Sequence, residues 1–444
     1  MTMTVGLVQK MTISGNTACV EIGTVPSSTE LLTLTSSPTE DKGVVAFKKG
    51  ILNLILWAQA AGFVVRLTHE DTNANITQVN VQLFVRVLVV ADGIFNFTKQ
   101  TDITDDTFTI FTLVDTLNGS SFPQIIVHTA HRQGDPLATI TMPFNFATSI
   151  PDLSVYDEIW MFGYLGSNFG GSGRLNFISE AELQAIAKFM DGGGGVLATG
   201  DHDGLGSLMC GKILRVRSMR KWFAQTDNDP SIPVQAPRNW PAIGPTRADT
   251  LQPDHDGNWN FDNQSDDIPQ SLDFPNGTVH PILLGPNGPI SRFPDHMHEG
   301  EVITPWTLWD PLTFNGQQFV EYPGHQEAPR IIATGKVIGG HATPLEGSQC
   351  EQVNFIGAKD PTVANDNLAI LCVYDGHNAG VGRVVTDSSF HHYIDLNLIG
   401  DPCGIDDKQR GFGTAAGQDI LADIKSFYIN TAVWLARANP RKFP

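Results

Sequence analysis

The chain has 444 residues, of which 41% are hydrophobic and 17% are charged, and its formal net charge is −19. This composition is typical of a globular protein, and the length favours two domains because one core rarely serves more than about 250–300 residues. The acidic excess argues against a nucleic-acid or anionic-membrane partner, since both need a surplus of lysine and arginine.

The cysteines and the N-terminus favour a cytoplasmic location. The five cysteines are scattered and include no CxxC pair, so a disulfide framework is not expected. The first ten residues, MTMTVGLVQK, lack the basic, apolar and small-residue succession of a signal peptide. The most apolar stretch, ILNLILWAQAAGFVV, is short for a membrane span and contains Asn53 and Gln59, which favours a core helix.

Residues 1–82 are predicted to form a small, mostly-β domain. The runs ACVEIG, ELLTLT and FVVRLTHE are short and β-rich, and turn-forming residues separate them. A helix is predicted for FKKGILNLILWAQAAG, which ends at glycine. The sequence here carries no pattern typical of a catalytic site, so we interpret this domain as an interaction module.

Residues 83–444 are predicted to form an α/β domain with a mostly parallel, doubly wound sheet. Strands that alternate with helices along the chain form such sheets. Ser179 and Glu182 have the spacing of a capping box at the start of the second helix. The predicted strands are FVRVLVVADG, PQIIVH, YDEIWMFG and GGVLATG, and the helices are DDTFTIFTLVDTLNG and SEAELQAIAKFMDGG.

A long loop-rich insertion interrupts this domain at about residues 221–330, where Pro, Gly, Asn and Asp dominate. After it, RIIATGKV is predicted as a strand and LAILCVYDGHNAGVGRVVTDSSF as a hairpin. The stretch GQDILADIKSFYINTAVWLAR is predicted as a closing amphipathic helix. Its apolar stripe consists of Ile420, Leu421, Ile424, Phe427 and Tyr428.

Polar residues cluster directly after two of the predicted strands. LATGDHDGLG places Asp201, His202 and Asp203 after a buried strand, and DSSFHHYID places His391 and His392 after the last strand. Ligands of parallel α/β sheets bind at the carboxyl ends of strands, so both clusters are candidate site residues. The alternatives are aspartates that cap the following helix and histidines that are half-buried and hydrogen-bonded within the fold.

Two further clusters are candidates for the same site. FPDHMHEGEV contains His298 and Glu299, and histidine with carboxylate is a common ligand set for zinc, manganese or iron. RVRSMRKW contains Arg217 and Arg220, which share a face on a helix and could hold a carboxylate or phosphate. The alternatives are a solvated loop for the first cluster and salt bridges to the surplus acidic groups for the second.

The order YDEIWMFG, helix, GGGGVLATGDHDGLG resembles the centre of class I glutamine amidotransferase-like domains, where a glycine-rich strand leads into a sharp turn that carries the nucleophile. The ending GVGRVVTDSSFHHYIDLNL, then SFYINTAVWLAR, is similar to the close of trehalose-utilisation-type members. The likeness covers about residues 84–215 and 330–438 and implies an amidotransferase-like fold.

The chain departs from that family at the nucleophile. The turn reads Gly-Asp-His-Asp-Gly, whereas glutamine-hydrolysing members carry cysteine there. Cys210 falls about two helical turns later and is expected to face the core. Glutaminase activity is therefore not expected, because a cysteine nucleophile must stand at the turn beside a base.

These observations lead to the hypothesis of a metal-dependent hydrolase of a small polar substrate, in which the metal generates hydroxide near neutral pH. The expected cofactor is a divalent ion, zinc or manganese. The expected catalytic residues are Asp201, His202 and Asp203, the expected metal ligands are His202, His298, Glu299, His391 and His392, and the expected substrate-binding residues are Arg217 and Arg220.

Two alternatives stay open. The first is a catalytically inactive scaffold or binding protein that assembles through its N-terminal domain, for example as a homo-oligomer. The second is a sugar-related isomerase or hydrolase, which the likeness to trehalose-utilisation-type members implies. In that case Trp306, Trp309 and Tyr322 would stack on a sugar, although these aromatic residues are equally suited to a core.

One geometric expectation does not depend on the function. If both polar clusters follow neighbouring parallel strands, a side-chain atom of Asp201, His202 or Asp203 lies within about 10 Å of His391 or His392, a reach of two strand spacings. We also expect His298 or Glu299 to reach the same crevice from the insertion.

Overall fold

The structure is a computed structural model in which the chain divides into two compact units. The smaller contains residues 1–85, 120–126 and 437–444, and the larger contains residues 86–119 and 127–436. The structure describes residues 2–14, 17–24, 28–35, 64–69, 76–82, 84–99, 108–120, 123–166, 178–201, 205–220, 222, 260–261, 270–294, 300, 302–305, 311–325, 327–338, 340–341, 364–399 and 415–437.

The smaller unit contains a five-stranded antiparallel sheet in the order β3-β2-β1-β4-β5. The three strands predicted from the sequence are confirmed as β2, β3 and β4. The helix predicted for residues 47–62 lies outside the described residues. The strands are β1 (Thr2–Ser14), β2 (Thr17–Thr24), β3 (Ser28–Thr35), β4 (Val64–His69) and β5 (Ile76–Gln82).

The larger unit is mixed α/β and is built on a nine-stranded sheet in the order β14-β11-β17-β19-β20-β9-β8-β6-β7. These strands are β6 (Phe84–Ala91), β7 (Gln124–His131), β8 (Glu158–Phe162), β9 (Gly195–Thr199), β11 (Gln270–Asp273), β14 (Arg292–Phe293), β17 (Arg330–Ile338), β19 (Ala364–Tyr374) and β20 (Val384–Asp387). Smaller pairings involve β10 (Asn260–Phe261), β12 (Leu284–Gly285), β13 (Gly288–Pro289), β15 (Leu312–Phe314), β16 (Gln317–Phe319) and β18 (Gly340–His341).

The centre of the nine-stranded sheet is parallel, as the alternation of strands and helices predicts. Strand β6 pairs with β8, β8 with β9, and β9 with β20, all in parallel. The predicted hairpin is confirmed as the antiparallel pair β19 and β20. Strands β17, β11 and β14 extend the sheet with antiparallel pairings, so β11 and β14, which belong to the insertion, add ordered edge strands.

Helices follow several of the strands. They are α1 (Phe111–Asn118), α2 (Glu180–Asp191), α3 (Ser207–Cys210), α4 (Val216–Met219), α5 (Asp395–Ile399) and α6 (Ala415–Leu435). Short 3-10 helices span Leu153–Val155, Pro275–Gly277, Pro281–Leu283, Pro323–His325, Gly376–Ala379 and Phe390–His392. In the described part of the chain, no helix is long and apolar enough to cross a membrane.

Helix α1 begins later than the sequence pattern predicts. The acidic residues before it suggest a start at Asp105, but the first helical residue is Phe111. Thr109 forms an isolated bridge with Asn96, and the Ile110 N–H donates to the Asn96 carbonyl at 3.1 Å. These two contacts commit the backbone of Thr109 and Ile110 to Asn96, so the helix begins after them.

Both faces of the parallel centre are covered. Met161 and Ala198 on one face pack in the same core as Leu183 and Ile186 of α2. Successive strand side chains point to opposite faces, so Phe162 points the other way. Its ring meets Tyr393 at 5.2 Å, and Tyr393 stacks on Tyr428 of α6 at 5.5 Å. Ile424, Phe427 and Tyr428 of the predicted apolar stripe are buried.

The capping box of α2 is confirmed, and it supplies a test of local stability. The Ser179 hydroxyl accepts from the Glu182 N–H at 3.3 Å, and the Glu182 carboxylate accepts from the Ser179 N–H at 3.0 Å. Ser179→Ala is expected to lower the free energy of unfolding by about 1 kcal/mol, because a helix donor loses its partner. Urea denaturation measures this, with the exposed Lys188→Ala as the control. Equal stability of the two variants would contradict the assigned cap.

Candidate functional site

The candidate site lies at the carboxyl ends of β9 and β20, which are parallel neighbours with Ala198 opposite Thr386. Because the strands run in the same direction, the loops that follow them emerge at the same edge of the sheet. A backbone hydrogen bond joins the two loops, with the Phe390 N–H donating to the Gly200 carbonyl at 3.0 Å. The Asp201 N–H donates to the Leu205 carbonyl at 3.2 Å and closes the turn after β9.

The carboxylate of Asp201 and the imidazole of His391 meet at this edge of the sheet, and we call the space around the pair the crevice. His391 Nε2 lies 4.0 Å from Asp201 Oδ2, which confirms the expected approach within about 10 Å. The Ser389 hydroxyl donates to the same carboxylate oxygen and accepts from the His391 N–H at 3.0 Å. Asp201 is fully buried, and His391 keeps a small exposed fraction of 8%. The pair therefore combines a buried carboxylate with an imidazole at the edge of solvent.

Asn397 of α5 orients the His391 ring. His391 Nδ1 lies 2.9 Å from Asn397 Oδ1, and both residues are buried. An amide oxygen only accepts, so the proton of a neutral His391 ring sits on Nδ1. The lone pair of the neutral ring then belongs to Nε2, the atom on the Asp201 side.

His392 turns to a different partner from His391. Its Nδ1 lies 2.7 Å from Asp387 Oδ1, and the Tyr393 hydroxyl donates to the other Asp387 oxygen at 2.9 Å. The Tyr428 hydroxyl donates to the His392 carbonyl at 2.7 Å. Since His392 is 1% exposed and its ring packs on Phe293, it belongs to a buried polar network beneath the crevice.

Arg220 connects the two loops of the site. Its Nη2 donates to the carbonyls of Asp201 at 3.0 Å and Ser388 at 2.6 Å, and its Nε donates to the Asp387 carbonyl at 3.1 Å. The guanidinium lies over the Trp222 ring, 4.6 Å from its centroid, and is 1% exposed. These contacts direct its donors to backbone carbonyls of the protein itself.

Arg217 has other partners than Arg220, and the prediction of a shared helical face is wrong. Helix α4 ends at Met219, and Arg220 has an extended backbone with φ −144°. Arg217 Nε pairs with Glu321 Oε2 at 3.1 Å, and both side chains are buried. The Ser218 hydroxyl and the Arg215 N–H also donate to Glu321. The contacts of Arg217 thus match the salt-bridge alternative raised from the sequence.

Part of the predicted site lies outside the described residues, namely His202, Asp203, His298 and Glu299. Gly300, the residue after Glu299, is described and lies against the site. A Cβ atom added to Gly300 would fall 1.4 Å from the Ser388 carbonyl oxygen and 2.4 Å from Arg220 Nη2. Within the described ranges, no group of three or more His, Cys, Asp or Glu side chains is arranged to hold a metal ion.

Asp92 lies at the same edge of the sheet and was missed by the sequence reasoning. It follows β6, and its Oδ1 accepts from the N–H groups of Tyr164 at 2.6 Å and Leu165 at 3.0 Å. Burial raises the pKa of its carboxyl to about 6, against the lowering effect of these hydrogen bonds and of Arg132. The available signal was the Asp-Gly pair that ends the apolar run FVRVLVVADG.

The sequence reasoning also missed four aromatic rings in the loops of the crevice, because each is a single residue in an irregular segment. The Phe390 ring lies 4.8 Å from the His391 ring, and the Phe108 ring lies 6.0 Å from it. Phe95 and Tyr164 complete the group, with ring centroids 6.0 Å apart. These rings make the surroundings of His391 apolar.

Two sequence expectations about other side chains are settled by burial. Cys210 lies in the core and is fully buried, as expected, and burial raises the pKa of its thiol. Tyr322 is 1% exposed, and its hydroxyl forms a hydrogen bond of 2.6 Å with the Ser218 hydroxyl. Tyr322 therefore belongs to the core and does not face a sugar. Trp306 and Trp309 lie outside the described residues.

Comparison of the chain with protein-family models, with curated proteins and with solved structures finds no match in any of the three. The function is therefore argued from the side chains of the site itself.

The Arg217–Glu321 pair allows a test that separates a structural role from substrate binding. Arg217→Met removes the side-chain cation from a buried carboxylate, and the free energy of unfolding is expected to fall by about 3 kcal/mol. Guanidinium denaturation measures the change, and the exposed Arg292→Met is the control, with an expected change below about 0.5 kcal/mol. Undiminished stability of Arg217→Met would instead favour the substrate-binding hypothesis.

Asp92 gives a pH-dependent prediction. Its folded pKa of about 6 exceeds the ordinary value, so between about pH 4 and 6 the folded chain keeps a proton that the unfolded chain releases. The contribution of Asp92 to stability therefore falls as the pH rises through this window. The Asp92→Asn variant keeps a hydrogen-bond acceptor but removes the charge. At pH 7 it is expected to be about 1–3 kcal/mol more stable than the wild type, because a shift of one pKa unit corresponds to about 1.4 kcal/mol.

Urea denaturation of both chains at pH 4 and pH 7 measures this difference, which should shrink at pH 4. A variant that is less stable than the wild type at pH 7 would show that the ionised form is favoured in the fold.

Proposed function

We propose that this protein is a hydrolase of a small polar substrate and that the Asp201–His391 pair is its catalytic centre. The observation that carries the proposal is the 4.0 Å approach of His391 Nε2 to Asp201 Oδ2 at the carboxyl ends of two adjacent parallel strands. Sheets of this class bind ligands at that edge. A histidine with one ring nitrogen held by an amide and the other beside a carboxylate suits general acid–base chemistry.

In the proposed reaction His391 is the base. Its Nε2 takes a proton from a water molecule, and the water oxygen bonds to the electrophilic carbon of the substrate. Asn397 keeps the other ring proton on Nδ1, and Asp201 stabilises the imidazolium that forms. The bond to the leaving group then breaks, and Nε2 returns the proton to the leaving group, which restores the neutral ring.

An amidotransferase-like fold is part of the proposal. The support is local: β8, α2 and the glycine-rich β9 follow one another, and a tight turn starts at Asp201. The turn is tight because a Cβ added to Gly200 would fall 2.4 Å from the Leu205 carbonyl oxygen. Gly206 supports the same turn with a φ of 84°, which favours glycine. Asp201 and His202 would then stand where glutamine-hydrolysing amidotransferases carry their nucleophile.

In the metal-dependent form of the proposal a divalent ion, zinc or manganese, would replace His391 as the group that activates water, because Nε2 cannot both ligate an ion and accept a proton. Asp201 and His391 offer an oxygen and a nitrogen donor, and Asn397 orients His391 in the way that second partners orient ligating histidines. His202, His298 and Glu299 are proposed to supply the other ligands. When bound, the ion would lower the pKa of a coordinated water. His392 is left out, because its ring is buried against Asp387.

Conservative substitutions test the catalytic pair. His391→Gln and Asp201→Asn are each expected to lower kcat/KM at least about 100-fold, since general acid–base catalysis contributes about 10²–10⁴-fold. The measurement is hydrolysis of a panel of small esters, amides and glycosides. His128→Gln is the matched control, because His128 bonds to Tyr156 and is exposed. Full activity in both site variants would contradict the proposal.

Elemental analysis of protein purified without added metal decides the metal-dependent form. We expect about one equivalent of zinc or manganese in the wild type and a loss of that metal in His298→Ala. If hydrolysis persists after removal of all transition metals, the metal-dependent form is wrong and the mechanism with His391 as the base remains.

A second function, an inactive scaffold, is favoured by a different observation. Arg217, Arg220 and His392 all bond within the protein, as expected if the polar clusters only hold loops in place. Two measurements together distinguish the two functions: light scattering gives the oligomeric state of the intact chain, and the panel of esters, amides and glycosides gives its hydrolytic activity. A stable assembly that hydrolyses no substrate of the panel favours the scaffold.

A further inference from the structure

Four aromatic side chains form a wall beside His391, and we call Phe95, Phe108, Tyr164 and Phe390 the aromatic wall. They come from the loops that follow β6, β8 and β20, the same edge of the sheet that carries Asp201. Neighbouring rings contact each other with centroids 5.1 Å apart for Phe95 and Phe390 and 5.9 Å apart for Phe108 and Tyr164. The contacts are edge-to-face, the geometry that aromatic pairs prefer.

The rings of the wall differ in exposure. Phe95 and Phe390 are 2% and 1% exposed, whereas Phe108 and Tyr164 are half-buried. The Phe108 ring is also within 6.0 Å of the His391 ring. Phe108 and Tyr164 are therefore the two rings of the wall with surface left to contact the part of a substrate next to the reacting bond.

The charges around the wall favour a cation over a neutral group. Aromatic faces carry a negative quadrupole, and the buried Asp201 carboxylate adds a negative charge 4.0 Å from His391 Nε2. Burial is the larger cause of the raised pKa of the Tyr164 phenol, and the charge of Asp201 is the second cause. The electric field of Asp201 therefore reaches this ring. The Arg220 guanidinium is directed to three backbone carbonyls and Trp222.

The overall charge of the chain acts in the same direction. A formal net charge of −19 attracts cations and repels anions at long range. An anionic substrate would approach the site against this field and would meet Asp201.

We infer that the substrate of this site carries a small organic cation, an ammonium group, that packs against Phe108 and Tyr164 beside Asp201. This inference rests on the proposed function, because the wall and the catalytic pair share one crevice. It names the chemical class of the substrate as a cationic ester or amide.

Binding of two probes of equal shape tests the inference on the intact chain. Choline carries the cation, and 3,3-dimethylbutan-1-ol replaces its nitrogen with carbon. Ligand-detected NMR measures the weak affinities of both probes at low and at high salt. We expect choline to bind about tenfold more tightly at low salt, as cation–π contact and the Asp201 charge together imply, and the difference to shrink at high salt.

Substitution of the wall locates the binding. Phe108→Leu and Tyr164→Leu keep apolar volume but remove the ring, and each is expected to reduce choline affinity several-fold while changing the alcohol little. Phe314→Leu is the matched control, because the Phe314 ring packs on Phe319 in the core. Equal affinity for both probes, no binding of choline, or choline affinity unchanged in both wall variants would overturn the inference.

The outcomes separate this inference from the proposed function. Selective choline binding with no hydrolysis of any ester keeps the cation site and removes the hydrolase. Hydrolysis of neutral esters without choline binding keeps the hydrolase and removes the cation site.

Discussion

The site depends on one buried cation, the guanidinium of Arg220, which holds the ends of two strands together. Three backbone carbonyls, those of Asp201, Asp387 and Ser388, accept its hydrogen bonds, and Trp222 covers its face. Free carbonyls after a strand would need water or another donor. Because Arg220 satisfies them inside the protein, the loop that carries Asp201 and the loop that carries His391 keep a fixed separation.

The other parts of the site are arranged around Arg220. The two strands are parallel neighbours, so their following loops emerge together, and Arg220 fixes them from within. Ser389 and Asn397 then orient the carboxylate and the imidazole, and the aromatic wall lies beside the imidazole. The proposed chemistry uses the Asp201–His391 pair, whereas Asp387, His392 and Tyr393 are joined to each other by hydrogen bonds beneath it.

The sequence predicts what depends on local pattern and on strand direction. Continuous apolar runs predict β6, β8 and β9, and the spacing of Ser179 and Glu182 predicts the start of α2. The approach of Asp201 to His391 follows from parallel strands alone. Other features depend on distant partners: Arg217 pairs with Glu321, which is 104 positions away, and no pattern in RVRSMRKW indicates it. Asp92 and the aromatic wall are single residues in loops, where side-chain periodicity carries no information.

The central claim is that His391 keeps its ring proton on Nδ1 and offers Nε2 to a substrate. The most direct measurement is the ¹⁵N NMR spectrum of the His391 ring near neutral pH, assigned by comparison with His391→Gln and repeated in Asn397→Leu. The account predicts that the neutral ring of the wild type carries its proton on Nδ1 and that Asn397→Leu disturbs this preference. A wild-type ring that carries its proton on Nε2 and donates it to Asp201 would contradict the account.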